Sequence, residues 1–167
     1  MTNEFLKEYL EHISYEIEGL VSSYIQMTQI KKRSKTHPFD IQGQKNDCLD
    51  LMALHFRNLY EFFCYVPHKG YIRASSYSPG FKGSANNFLI NKANNQVSHF
   101  TEERHKISKK YSSKAWDSND VMKWVVKHID SWSSSLENDY REEFQKRLAP
   151  VDPFIKWYRD QIDQGKA

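Results

Sequence analysis

The stretch "NDCLDLMALHFRNLYEFFCYV", residues 46–66, decides how the chain folds. Leu49, Met52, Phe56, Leu59, Phe63 and Val66 recur at steps of three and four, the period of one helix face. Leu51, Leu54 and Phe62 widen that face until the helix is apolar nearly all round, as a central, buried element must be. His55, Arg57, Asn58 and Glu61 interrupt it. Asn46 or Asp47 is suited to cap its start, and Pro67 and Gly70 stop it.

Working outward, the first segment predicts a long amphipathic helix. Leu6, Leu10, Ile13, Ile17, Leu20 and Tyr24 form its stripe, Thr2 is its N-cap, and Lys31, Lys32 and Arg33 suit its C-terminus. Thr36 through Gly43 reads as the first loop. Residues 67–85, "PHKGYIRASSYSPGFKGSA", carry the highest density of Gly, Pro and Ser and read as a long loop, a kind that is commonly functional. A third helix starts near Asn86 or Asn87 and carries Phe88, Leu89, Val97 and Phe100, before a strongly polar continuation. Asp117 or Ser118 caps a fourth, with Val121, Val125, Ile129, Trp132 and Leu136 inward and the same spacing running on through Tyr140, Phe144 and Leu148. After Pro150, Asp152 is expected to cap a short last helix with Pro153 at its first position, carrying Phe154, Ile155, Tyr158 and Ile162. The expected fold is all-α: an up-down helical bundle of four long helices plus a short C-terminal helix, forming one domain over residues 1–167.

Composition agrees with that reading. A chain of 167 residues can bury about 70% of its unfolded surface. Hydrophobic residues at 39% and aromatics at 14% supply a core and exclude a disordered chain. Six glycines and five prolines are too few for the many tight turns of a sandwich or barrel. Cys48 and Cys64 lie on the same helix, too far apart to bridge, and match no zinc spacing, so they read as reduced thiols. The N-terminus has neither a basic nor an apolar leader region, and no apolar run is long enough to span a membrane. The expectation is a soluble cytoplasmic protein without cofactor or metal.

Net charge is only +3, but its distribution is uneven. Glu4, Glu8, Glu11, Glu16 and Glu18 face a single Lys7 in residues 1–30. Lys92, Arg104, Lys106, Lys109, Lys110 and Lys114 face only Glu102 and Glu103 in residues 86–116. The basic segment, with Tyr111 and Trp116 interleaved, suits an RNA backbone with stacked bases; a solvated helix end explains it equally well.

The chemistry centres on "KANNQVSHFTEER", residues 92–104. At about 100° per residue, Lys92, Asn95, Gln96 and His99 share one arc of a helix. An imidazole moves protons near neutral pH, and a fixed cation and amide stabilise charge growing on phosphoryl oxygens. With an RNA 2′-hydroxyl as nucleophile, phosphodiester cleavage then needs no metal. The alternative for His99 is a surface i,i+4 pair with Glu103. His55 and Asn58 read as satisfied core or dimer-seam groups, and Trp124, Trp132 and Trp157 as core or interface. The absence of a Gly-rich phosphate loop, of HExxH and of GxSxG excludes nucleotide-binding, zinc-protease and α/β-hydrolase readings.

"ALHFRNLYEFF" (53–63), followed some thirty residues later by "KANNQVSHFTEER", resembles the HEPN superfamily of small helical, nucleic-acid-associated proteins, over residues 46–105. That family pairs two long helices with a motif of a basic residue, a polar residue and a histidine. Here Lys92 stands for the basic residue, Asn95 or Asn94 for the polar one, and His99 for the histidine. The resemblance implies metal-independent RNA cleavage in a cleft across a homodimer, in toxin–antitoxin or phage-defence systems. This sequence has lysine where the family usually has arginine, and so lacks the planar fork that binds phosphate in two places. Arg57 can supply the fork if its helix packs beside the third; its alternative is a pair with Glu61. The second functional class is a non-catalytic helical binding module, such as an antitoxin, immunity protein or regulator, that contacts a protein partner through the 67–85 loop or the acidic first helix.

Overall fold

The computed structural model describes residues 2–33, 38–65, 70–97 and 118–166, excluding the side chains at 31–33, 38–42 and 95–97. Among the described residues the chain has seven helices and no strand: α1 (Asn3–Arg33), α2 (Pro38–Cys64), α3 (Ala74–Tyr77), α4 (Asn87–Val97), α5 (Ser118–Ser135), α6 (Asn138–Leu148) and α7 (Asp152–Asp163). None of these helices is long and apolar enough to cross a membrane.

Helix α1 forms as its spacing requires. The Thr2 hydroxyl accepts a hydrogen bond from the Phe5 amide at 3.3 Å, and every member of the Leu6-to-Tyr24 stripe is buried. That stripe lies along α2, with α6 packed against α1 on another side. Helix α2 is buried as expected through Met52, Phe56, Leu59, Tyr60, Phe62 and Phe63. Leu51 and Leu54, however, are exposed, so its apolar surface is wider than the one the fold covers.

Four features differ from expectation. Helix α2 starts at Pro38, so Gly43 and Asn46 lie inside it, where a loop and a cap were expected. Proline at a first helical position forfeits no hydrogen bond and has its φ already set for a helix. The 67–85 segment is not one open loop. It contains α3, and Ile72, Ala74, Tyr77 and Phe81 are buried. Two long-range hydrogen bonds hold it: Trp132 Nε1 donates to the Ala74 carbonyl at 3.1 Å, and the Tyr77 hydroxyl donates to the Leu6 carbonyl at 2.8 Å.

The expected fourth helix is two helices, α5 and α6, parted at Leu136 and Glu137. All eight residues of its stripe are nevertheless buried. The break has a local cause. The hydroxyls of Ser133 and Ser134 bond back to the Asp130 carbonyl, and that of Ser135 to the Trp132 carbonyl, competing with the helical ladder. Arg141 then donates to the carbonyls of Ser133, Ser134 and Leu136, satisfying the end of α5. At the last helix Asp152 is the first helical residue rather than the cap, which is Val151. Ile155 and Tyr158 are buried there, while Trp157 is exposed.

The core is aromatic. Phe63 lies 6.1 Å from Phe81, 6.1 Å from Trp124 and 5.8 Å from Trp132 between ring centroids, edge-on or tilted. Both cysteines are free, and burial pushes the Cys64 thiol up to about 11. A Cβ on Gly83 would lie 2.5 Å from the Phe63 carbonyl oxygen, so this close approach of 81–86 to α2 requires glycine.

Two glycines therefore respond oppositely to alanine. Gly83→Ala must displace backbone and is expected to lower unfolding free energy by about 1–3 kcal/mol. Gly43 is exposed within α2, with nothing within 4 Å of an added Cβ, so Gly43→Ala is expected to raise it by about 0.5–1 kcal/mol. Urea titrations of both variants measure the two signs. A neutral or destabilising Gly43→Ala would contradict the early start of α2.

Candidate functional site

Helix α4 is positioned by its N-terminus. The Asn86 side-chain oxygen accepts from the Leu89 amide at 3.1 Å, and the Asn86 backbone lies against the Tyr60 hydroxyl of α2. Leu89, Ile90 and Ala93 are buried as α4 packs on α2. Phe88 is 64% exposed. Lys92 is half-buried, and its ammonium sits over the Phe88 ring at 4.3 Å from the centroid. Because α4 is continuous from Asn87 to Val97, Phe88 and Lys92 lie one turn apart on one face of it. His99, Arg104, Lys106, Lys109, Lys110 and Lys114 lie outside the described residues, as does the side chain of Asn95.

Arg57 is exposed and pairs with Glu61 at 3.4 Å, one turn on. At 100° per residue it projects about 20° from Cys64. The Cys64 sulfur is among the atoms nearest Gly83, on the run into α4. Arg57 is thus on the same side of α2 as Cys64, whereas His55 and Asn58 face α1. Exposed i,i+4 pairs are worth only about 0.3–0.5 kcal/mol, so the Glu61 contact does not fix this guanidinium.

The α1–α2 seam holds a polar cluster. The Glu16 carboxylate receives His55 Nδ1 at 2.7 Å and the Asn58 side-chain amide at 3.1 Å. The imidazole lies directly over Gly19, where a Cβ would come within 2.3 Å of Nε2, and the Tyr15 ring meets it edge-on at 5.8 Å. Both imidazole nitrogens face α1, and the cluster acts as a clasp between helices. His55 and Asn58 are accordingly satisfied groups, as their sequence context suggested.

A second histidine clasp escaped sequence reasoning. His128 is buried and stacks on Trp124 at 3.7 Å. Its Nδ1 donates to the Trp124 carbonyl at 2.7 Å, and its Nε2 accepts from the Ser84 amide at 3.0 Å, which specifies the neutral ring. Trp124 Nε1 in turn donates to the Ser84 carbonyl at 3.1 Å. Burial is the main cause of a His128 pKa below its ordinary value. The only sequence signal was an i,i+4 Trp-His pair, which carries no mark of its partner 44 residues away.

Sequence reasoning also missed an aromatic–arginine cluster beyond the end of α2. The Arg73 guanidinium lies over the rings of Tyr71 at 4.9 Å and Tyr65 at 5.9 Å, and both tyrosines are exposed. The alternation of Tyr71, Ile72 and Arg73 was its one trace in the sequence. Among the described residues no three His, Cys, Asp or Glu side chains assemble as a metal-ligand set. Comparisons with protein-family models, curated proteins and solved structures found no match to this chain.

The His128 clasp makes stability depend on pH. The unfolded chain protonates this imidazole near pH 6.5, while the folded chain resists until a lower pH. Its contribution is therefore complete above about pH 6.5 and is lost as the pH falls through the folded value. Melting temperature is expected to fall between pH 7.5 and 5, with a flatter dependence in His128→Gln. Parallel slopes for the two proteins would exclude His128 as the source.

Proposed function

We propose that this chain is a HEPN-like, RNA-acting protein that cleaves RNA as a metal-independent endoribonuclease, working as a homodimer in a toxin–antitoxin or phage-defence setting. The reading rests on the sequence resemblance. The observation that supports it is on α4, a helix that packs against α2, where the Lys92 ammonium sits over the exposed Phe88 ring. Helices α2 and α4, which hold the described parts of the resemblance, are thus neighbours, and Arg57 shares a side of α2 with Cys64, whose sulfur lies near Gly83 on the run into α4.

In this reading His99 takes the proton from the RNA 2′-hydroxyl as that oxygen attacks phosphorus, and a proton returns to the departing 5′-oxygen. Lys92 and Arg57 stabilise the charge that grows on the phosphoryl oxygens, and Asn95 orients them. A phosphate near Arg57 outcompetes the weak Glu61 contact and supplies the planar fork that Lys92 lacks. Arg104, Lys106, Lys109, Lys110 and Lys114 track the RNA backbone. A second copy provides the opposite wall of the cleft.

A non-catalytic module that contacts a protein partner is the second reading. It is favoured by Tyr15, Leu51 and Leu54, which are 63%, 48% and 44% exposed on α1 and α2.

His99→Ala is expected to abolish cleavage of a generic single-stranded RNA in EDTA, with its helical circular dichroism unchanged. Lys92→Arg is expected to preserve or raise the rate. Absence of cleavage by the unmodified protein, together with co-purification of a stoichiometric protein partner, would favour the second reading instead.

A further inference from the structure

We propose that Tyr65, Tyr71 and Arg73 form a base-stacking subsite for single-stranded RNA, separate from the α4 face; this rests on the RNA-acting reading above. Three observations carry it. First, the two tyrosines are 48% and 56% exposed, large apolar rings held at the surface. Second, they are ordered by a cation: the Arg73 guanidinium lies over both, and among the described residues no carboxylate pairs with it. Its positive charge is therefore not neutralised, and its Nε is buried without a hydrogen-bond partner among the described residues.

Third, the support beneath is rigid. The Arg73 amide donates to the Ser76 hydroxyl at 3.1 Å, the neighbouring Ala74 carbonyl is held by Trp132, and Ile72 and Ala74 are buried on either side. Tyr65 rests edge-on against the buried Tyr60 at 6.0 Å. Flat aromatic faces held beside an uncompensated cation match what a single strand presents, a base to stack and a phosphate to bind. A duplex hides its base faces, so the same surface discriminates against it. Tyr60 also contacts the backbone of Asn86, at the start of α4, so a strand leaving the Phe88–Lys92 face reaches Tyr65 around the end of α2.

The test is fluorescence anisotropy with a labelled single-stranded oligoadenylate, and with an RNA duplex of equal length, in a His99→Ala background that prevents cleavage. Tyr71→Ala and Tyr65→Ala are each expected to weaken single-strand binding roughly tenfold, with Tyr71→Phe retaining it. Arg73→Gln is expected to weaken binding and to reduce its salt dependence. Both tyrosines are exposed, so the variants are expected to keep the fold, which thermal melts verify. Undiminished binding by Tyr71→Ala, or equal affinity for duplex, would overturn the subsite while leaving RNA binding itself intact. Loss of binding in the tyrosine variants, in a protein whose unmodified form never cleaves, would uphold the subsite and reject the nuclease. If the His99→Ala parent binds no oligonucleotide, both proposals fall.

Discussion

Phe63 is the residue through which α5 and the 81–86 segment are fastened to α2. Its ring meets Phe81, Trp124, His128 and Trp132, and its carbonyl oxygen stands where any side chain at position 83 would have to go. That steric limit draws the 81–86 segment against the end of α2. Trp124 and His128 then grip the same segment from α5 through the two backbone groups of Ser84. Asn86 leaves this grip already placed to start α4. The direction of α4, and hence of the Lys92 face, follows from packing around a phenylalanine that performs no chemistry.

The α1–α2 seam shows a different use of polar groups. Glu16, His55 and Asn58 satisfy one another where an apolar pair would pack at many registers. A directional carboxylate–imidazole contact over Gly19 selects one alignment of two long helices whose stripes alone tolerate a shift by one turn. Such clusters contribute specificity more dependably than stability. This accounts for a histidine and an asparagine in the most apolar stretch of the sequence.

Much of this fold was legible because helix periodicity is local. The α1 stripe, the Thr2 cap, the start of a helix near Asn86 or Asn87 and the eight-residue stripe of α5 and α6 follow from spacing and from residue types that compete for backbone amides. The α5–α6 break was not legible, since uninterrupted spacing masks a Ser-rich turn sealed by Arg141 from the next helix. The exposure of Phe88 was not legible either. Its neighbours Leu89 and Ile90 already fill the contact with α2, leaving the ring to the solvent side under Lys92. Of the candidate site, Lys92 and Arg57 were legible as residues but not in their surroundings, which tertiary packing supplies. His99 and the lysine-rich run lie outside the described residues.

Two sets of cations among the described residues differ in what sits against them. Around α1, α6 and α7, Lys7 pairs with Asp139, Arg147 with Glu143 and Glu11, Lys156 with Asp152, and Arg159 with Asp130. Around the end of α2 and along α4, Lys92 and Arg73 sit on aromatic rings instead. A carboxylate cancels a cation's field, whereas a ring quadrupole orients it and leaves the charge in place. The paired cations of the first set are thus compensated locally, while Lys92 and Arg73 keep their charge beside exposed rings. Arg57 differs from both sets, with a weak exposed carboxylate partner one turn away. Ligands that combine negative charge with flat faces are attracted to the second set by the same pairs that keep its rings ordered.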